Sequence, residues 1–325
     1  MKTAIIVATY NRPALVDRML TSLGKCAFPD HEDVEILVVE NGKRAGTEEV
    51  CARHPIGGRT RYMFVGGSGK SNALNVAIRT CDADFIVFFD DDLTFTRDIV
   101  VEYVSAARRY GPRHFFGGPL TADAEVPCPP HLVPYLPSSS IGWSLGDEEQ
   151  EVDRALGPTF FGANWGAFKS DILQAGAFSE EIGISPVPLS SVGEETELQR
   201  ALLKDGNRAI YLPKALIHHL VRANCYTLQW VRERRARHGV TYYHVDHKGN
   251  PGARELFGIP VWVLRSLCQE YAKRLVAALT FASIEKRTTI VMRISYLKGI
   301  VHGALTDRRE QRLGLPSGEQ SATTS

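Results

Sequence analysis

The chain has 325 residues, 44% hydrophobic and 23% charged, a globular composition that argues against wholesale disorder and suffices for one large domain or two small ones. Lys and Arg total 38 against 37 Asp and Glu, so the formal charge is +1 and no global field attracts nucleic acid; a dedicated nucleic-acid binder is disfavoured. The six cysteines (Cys26, Cys51, Cys81, Cys128, Cys225, Cys268) are scattered without a CxxC pair, which reads as reduced thiols in a cytoplasmic protein. Met1 to Tyr10 carries no small-residue cleavage site, so no signal peptide is expected, and no apolar run approaches the ~20 residues that span a bilayer.

Short β-rich runs alternate with helical patterns over residues 3 to 118. Thr3–Thr9, Val34–Glu40, Arg61–Val65 and Asp84–Phe89 read as strands, the central ones apolar on both faces as a covered parallel sheet requires. Pro13–Leu23, Thr47–Arg53 and Ser71–Arg79 read as helices, with Pro13 suited to a first turn where its missing N–H would be unpaired anyway. This rhythm predicts an α/β fold with a doubly wound central sheet flanked by helices, whose ligands sit beyond the carboxyl ends of the strands. Residues 119 to 158, rich in Pro and Ser, read as a long connection. Beyond it come Phe160–Phe168, helices at Ser170–Ala175 and Gly193–Asp205, strands near Ala209–Leu212 and Leu216–Leu220, and a mainly helical region from about Thr227 to Asp307. The expected division is a nucleotide-binding and catalytic domain over 1–225, a helical region over 226–310 and a small, polar, disordered tail over 311–325.

Asp90-Asp91-Asp92 directly follows the apolar run Phe85–Phe89. Three adjacent carboxylates repel one another unless a cation neutralises them, and hard oxygen ligands favour Mg²⁺ or Mn²⁺, with phosphate oxygens as natural co-ligands. The plainer reading is a set of acids capping a helix at Thr96–Arg109. Gly66-Gly67-Ser68-Gly69-Lys70-Ser71 follows a strand and opens a helix, as in a phosphate-binding P-loop, but Phe64 stands where the complete motif needs Gly. Its glycines read as a turn that lets Lys70 and Ser71 approach an anion. Gly193-Glu194-Glu195 opens another helix, and either carboxylate can serve as a general base or simply favour the helix dipole. His218-His219 ends a β-like run and offers a metal ligand or a core histidine.

The order of these features is more specific than any one of them. Val7 to Pro13, Val38 to Gly42, Gly69 to Asn75, Phe89 to Asp92, Gly193 to Leu198 with Arg200, and Pro213 to His219 together resemble family 2 glycosyltransferases, over residues 3 to about 240. The resemblance implies a GT-A fold and inverting, metal-dependent sugar transfer from a nucleotide-sugar donor, UDP above all, to a glycan, lipid-linked glycan or small metabolite. It implies a nucleotide pocket of Thr9, Tyr10, Arg12, Glu40 and Asn41, with Lys70, Asn75, Asp90 and Asp91 bordering base, ribose or phosphates. Asp92, Asp90 and His219, with His218 as fallback, would hold Mg²⁺ or Mn²⁺. Glu195 would be the base, with Glu194 as the alternative, and Asn164 and Trp165 would face the acceptor. The competing readings are a P-loop-like NTPase or kinase and a catalytically degenerate nucleotide-sugar-binding domain. Residues 260 to 309 carry nine Lys/Arg against three acids beside apolar stretches, which points to peripheral contact with an anionic membrane, or to a helical cap or homodimer face.

Overall fold

The computed structural model describes residues 1–67, 69–152, 160–180, 193–247 and 254–313. The expected disordered tail lies largely outside them. The chain divides into two units, Met1–Glu125 with Pro137–Ser179 and Gly193–Val221, and Val126–Leu136 with Glu180–Val192 and Arg222–Ser325.

In the first unit the chain runs β1 (Lys2–Thr9), α1 (Pro13–Leu23), β2 (Asp33–Gly42), α2 (Thr47–Arg53), β3 (Thr60–Gly66), α3 (Lys70–Thr80), β4 (Phe85–Asp90), β5 (Leu93–Phe95), α4 (Ile99–Tyr110), β6 (His114–Gly117) and β7 (Leu120–Ala124). It continues through β8 (Gln150–Glu151), β9 (Asn164–Phe168), α5 (Lys169–Gln174), α6 (Glu194–Lys204), β10 (Arg208–Tyr211) and β11 (Ile217–Val221). Eight strands form one sheet in the order β3-β2-β1-β4-β9-β6-β10-β8. The period of two sends alternate side chains into two cores: Ile5, Val7, Val87 and Phe89 enter one, Ala4, Ile6, Ile86 and Phe88 the other. That double burial explains why β1 and β4 read as continuous apolar runs.

The sheet is mixed rather than wholly parallel, because β9 enters antiparallel between β4 and β6. The stretch 119–158 is likewise more than a connection: β7 joins β11 in a second small sheet, β8 closes the edge of the large one against β10, and Pro130–Tyr135 and Ser138–Ser140 are 3₁₀ turns. Chain order places β2 and β3 on one side of β1 and β4 on the other, so the topological switch point lies between β1 and β4.

In the second unit lie α7 (Leu228–Tyr242), the two-strand β12 (Glu255–Leu256) and β13 (Ile259–Pro260), α8 (Val261–Leu279) and α9 (Ile284–Leu313). This unit takes up the chain at Arg222, and Val126–Leu136 joins it through a 3₁₀ turn that packs on α9, where Tyr135 hydrogen-bonds Thr289. Helices α7 and α9 approach backbone to backbone: a β-carbon on Gly239 would overlap Tyr296 O, and one on Gly299 would overlap Ala236 O. No helix among the described residues is long and apolar enough to cross a membrane.

Candidate active site

The aspartate run sits at the carboxyl end of β4, where Ala8 of β1 pairs with Asp90. It does not cap a helix, because β5 intervenes before α4 and Asp98 takes the N-cap position. Each aspartate has a different environment. Asp91 is buried and turned inward, accepting from Thr9 Oγ1 at 2.6 Å and from Arg12 Nη1 at 3.1 Å. Burial, reinforced by Asp92, pushes its carboxyl up to about 6. It therefore ties the end of β1 to the end of β4.

Asp90 accepts from Lys70 Nζ at 2.8 Å; burial works against its charge, but the Lys70 ammonium outweighs that and holds the carboxyl below its ordinary value. Asp92 faces His219, whose Nε2 lies 3.6 Å from Asp92 Oδ1, and Arg12 Nη1 lies 3.6 Å from Asp92 Oδ2. Burial pushes Asp92 up, with His219 opposing and Asp90 adding to the rise.

The small sheet brings His219 here. Strand β11 pairs antiparallel with β5 so that His219 stands opposite Leu93, and Leu220 N donates to Asp92 O at 2.9 Å. Alternation along β11 turns the next side chain away: His218 Nδ1 meets Thr121 Oγ1 at 2.7 Å, which removes it from the expected metal set. Among the described residues no three His, Cys, Asp or Glu side chains converge as a ready-made ligand group, so the expected cluster reduces to Asp92 facing His219 with Asp90 engaged by Lys70. Asp92 Oδ1 and His219 Nδ1 are buried without a hydrogen-bond partner. An orphaned carboxylate oxygen with His219 Nε2 facing it fits a hard divalent cation that takes one or two protein ligands and completes its shell with phosphate oxygens.

Lys70 opens α3 after a turn in which Gly67 and Gly69 take φ of +103° and +121°, values that favour glycine. Its Nζ reaches Asp90 Oδ1 and Glu195 Oε1, both at 2.8 Å, and Glu194 Oε1 at 3.7 Å. Burial would lower its pKa, but the three carboxylates raise it well above the ordinary value. The glycine turn therefore delivers an ammonium to three carboxylates.

At the start of α6 the two glutamates differ. Glu194 is buried, and burial with Glu195 beside it pushes its carboxyl up to about 8 despite Lys70. Glu195 is partly open, and room for it is made by Gly162, where a β-carbon would overlap Glu195 Cδ and Oε1. Gly162 was not among the expected residues; the signal was a glycine in Phe160-Phe161-Gly162-Ala163, just before β9.

Several expected contacts are framework. Glu40 is 0% exposed: Oε1 accepts from Ala45 N at 3.0 Å and Thr47 Oγ1 at 2.5 Å, and Oε2 accepts from the Tyr62 hydroxyl at 2.7 Å. Asn41 donates to Thr9 O at 3.0 Å, and both ends of the Asn75 amide pair with the backbone of Phe178. Asn164 and Trp165 lie on β9, inside the sheet, each 0% exposed. Asn164 takes the Tyr103 hydroxyl at 2.8 Å and donates to Pro119 O and Ala215 O, while Trp165 stacks on Phe88 with centroids 4.9 Å apart. Neither side chain reaches the surface. Tyr10, by contrast, lies over Gly42 and is 42% exposed, and Arg12 is half exposed beside the aspartates.

Residues 4–134, which include β1, β4 and all three aspartates, match the sequence profile of glycosyl transferase family 2. Over this segment the chain is similar to family 2 glycosyltransferases. The chain is 25% identical over 317 residues to the succinoglycan biosynthesis protein ExoM of Rhizobium meliloti, covering 95% of this chain and 94% of that one. Its fold is of the GT-A type. The mannosyltransferase PcManGT of Pyrobaculum calidifontis, solved with GDP-Man and Mn²⁺, superposes with a TM-score of 0.55 at 20% identity, over 94% of this chain and 88% of that one. Staphylococcus aureus TarS superposes with a TM-score of 0.52 at 17% identity; the match covers 90% of this chain and 55% of that longer one.

Proposed function

We propose that this protein is a glycosyltransferase that moves a sugar from a nucleoside-diphosphate donor, UDP being the carrier, to a hydroxyl of a glycan, lipid-linked glycan or small metabolite, with inversion at the anomeric carbon. The observation that carries the reading is the convergence of Glu195, Lys70 and Asp90 at 2.8 Å spacings at the topological switch point, with the Asp92 and His219 pair on the other arm of the same turn. Bound donors in relatives of the same fold support a nucleotide sugar: UDP-GlcNAc in TarS and GDP-Man with Mn²⁺ in PcManGT. The name of ExoM supports a place in polysaccharide biosynthesis.

In this mechanism Glu195 is the base. Burial raises the Glu194 carboxyl to about 8, which favours its protonated form at neutral pH and makes it the poorer base. Glu195 takes the acceptor's proton as the acceptor oxygen bonds to the anomeric carbon; the bond to the diphosphate breaks, and a single displacement inverts the centre. Lys70 positions Glu195, and the half-exposed Arg12 guanidinium adds positive charge for the diphosphate. Asp92 and His219 would hold Mg²⁺ or Mn²⁺, which when bound supplies charge that stabilises the departing diphosphate. Titration calorimetry tests the donor side: UDP or GDP should bind with Mn²⁺ present and bind at least about tenfold more weakly to Asp92→Ala, a change of about 1.4 kcal/mol. Binding of ATP in place of either nucleotide would overturn the reading.

A further inference from the structure

The second unit presents an apolar corner that its own packing leaves uncovered. Only Val263 and Ala277 of α8 are buried, and Ala277 packs on Ile290 and Ile294 of α9, with Leu267 and Ala282 alongside. From Tyr271 to Val276 every residue is exposed. At about 100° per residue, Cys268, Tyr271, Ala272, Leu275, Val276 and Leu279 share an arc roughly 140° wide, opposite the face that carries Val263, Leu267 and Ala277. The helix thus has two apolar faces, one spent on α9 and one facing outward. The outward face runs on around the turn, where Leu279 is 70% and Phe281 86% exposed and Ile284 begins α9 in the open.

Charge frames this corner. Residues 275 to 284 contain no charged side chain, while Lys273 and Arg274 precede them and Glu285, Lys286 and Arg287 follow, all exposed; Lys273 also pairs with Glu270 at 2.7 Å, and the four bases outnumber Glu285 and Glu270. Lys298 lies over the Tyr271 ring at 5.8 Å, adding a cation beside the apolar arc. An uncharged stretch of this length is far short of the ~20 residues that span a bilayer, yet it can seat apolar side chains at the level of the headgroups while the basic collar meets lipid phosphates.

We propose that the α8–α9 corner docks the protein onto the surface of an anionic membrane, with Leu275, Leu279, Phe281 and Ile284 entering the bilayer boundary. A second copy of this chain is the poorer occupant. A two-fold interface sets each patch against itself, which would bring the Lys273, Arg274, Lys286 and Arg287 collars of two copies together. The inference needs neither donor nor acceptor and stands apart from the proposed reaction.

Vesicle flotation of the full chain tests it, using phosphatidylcholine vesicles with and without phosphatidylglycerol. The protein should float with the anionic vesicles at low salt, much less with the neutral ones, and progressively less as salt rises. Leu279→Asp with Phe281→Asp should lower the floated fraction at least tenfold while leaving the melting transition and UDP binding as in wild type. Lys273→Gln with Arg274→Gln, Lys286→Gln and Arg287→Gln should weaken binding to anionic vesicles alone. Absence of wild-type binding at low salt would overturn the proposal, and so would unchanged binding by the Asp pair. A lipid-free dimer that the Asp pair converts to monomer, with no vesicle binding, would reassign the corner to self-association.

Discussion

Glu194 and Glu195 are adjacent in sequence and cannot be told apart by periodicity; burial separates them. Glu194 is enclosed and carries a raised pKa, whereas Glu195 is partly open in the space left by Gly162. Two expectations follow. Gly162→Ala should displace the Glu195 carboxylate and lower turnover by at least tenfold, while nucleotide binding and the melting temperature change little, since the atoms that must shift are the end of a flexible side chain; kcat and UDP affinity measured together check this. For Glu194 the folded value of about 8 lies above the ordinary 4.5, so between those values the folded state binds more protons than the unfolded chain. The contribution is fully present below about pH 4.5 and is lost as pH rises through 8. Glu194→Gln, which cannot ionise, should flatten that fall, seen as a smaller drop in urea midpoint between about pH 5 and pH 8 than wild type shows. The candidate base pair was legible in the sequence as acids opening a helix; the choice between them was not, because it depends on which carboxylate the fold encloses and on the space left by Gly162, distant in the chain.

At the scale of elements, helices α1 and α2 have the bounds their sequence predicts, and β1 and β4 were legible because burial on both faces requires uninterrupted apolar runs. What the sequence concealed was the company each element keeps. Strand β9 carries Asn164 and Trp165 into the middle of the sheet, and no local pattern distinguishes that from the acceptor-side loop implied by the family resemblance. Strands β7 and β8 are short, and their pairing is decided by distant partners rather than by their own propensity. The buried amide of Asn164 joins β9 to α4 and to two connections through Tyr103, Pro119 and Ala215, so Asn164→Ala should destabilise the protein by about 2–5 kcal/mol, as buried partners lose their bonds. Chemical denaturation checks this; a loss below about 0.5 kcal/mol would return Asn164 to the list of candidate acceptor contacts.

For the whole molecule, the formal charge of +1 conceals an uneven distribution: acids gather at the carboxyl end of β4 and the start of α6, bases along α8 and α9. That asymmetry was visible in the sequence, but the outward arc of α8 was not, since a helix apolar on two sides reads the same whether both are covered or one is. The catalytic arrangement within the first unit is the central claim, and donor turnover tests it most directly. Release of nucleoside diphosphate from a panel of UDP- and GDP-sugars, with Mn²⁺ or Mg²⁺ present, should be measurable for wild type. It should fall at least 100-fold in Glu195→Gln with donor binding retained, a barrier increase of about 2.7 kcal/mol. Near-wild-type release by Glu195→Gln would contradict the account.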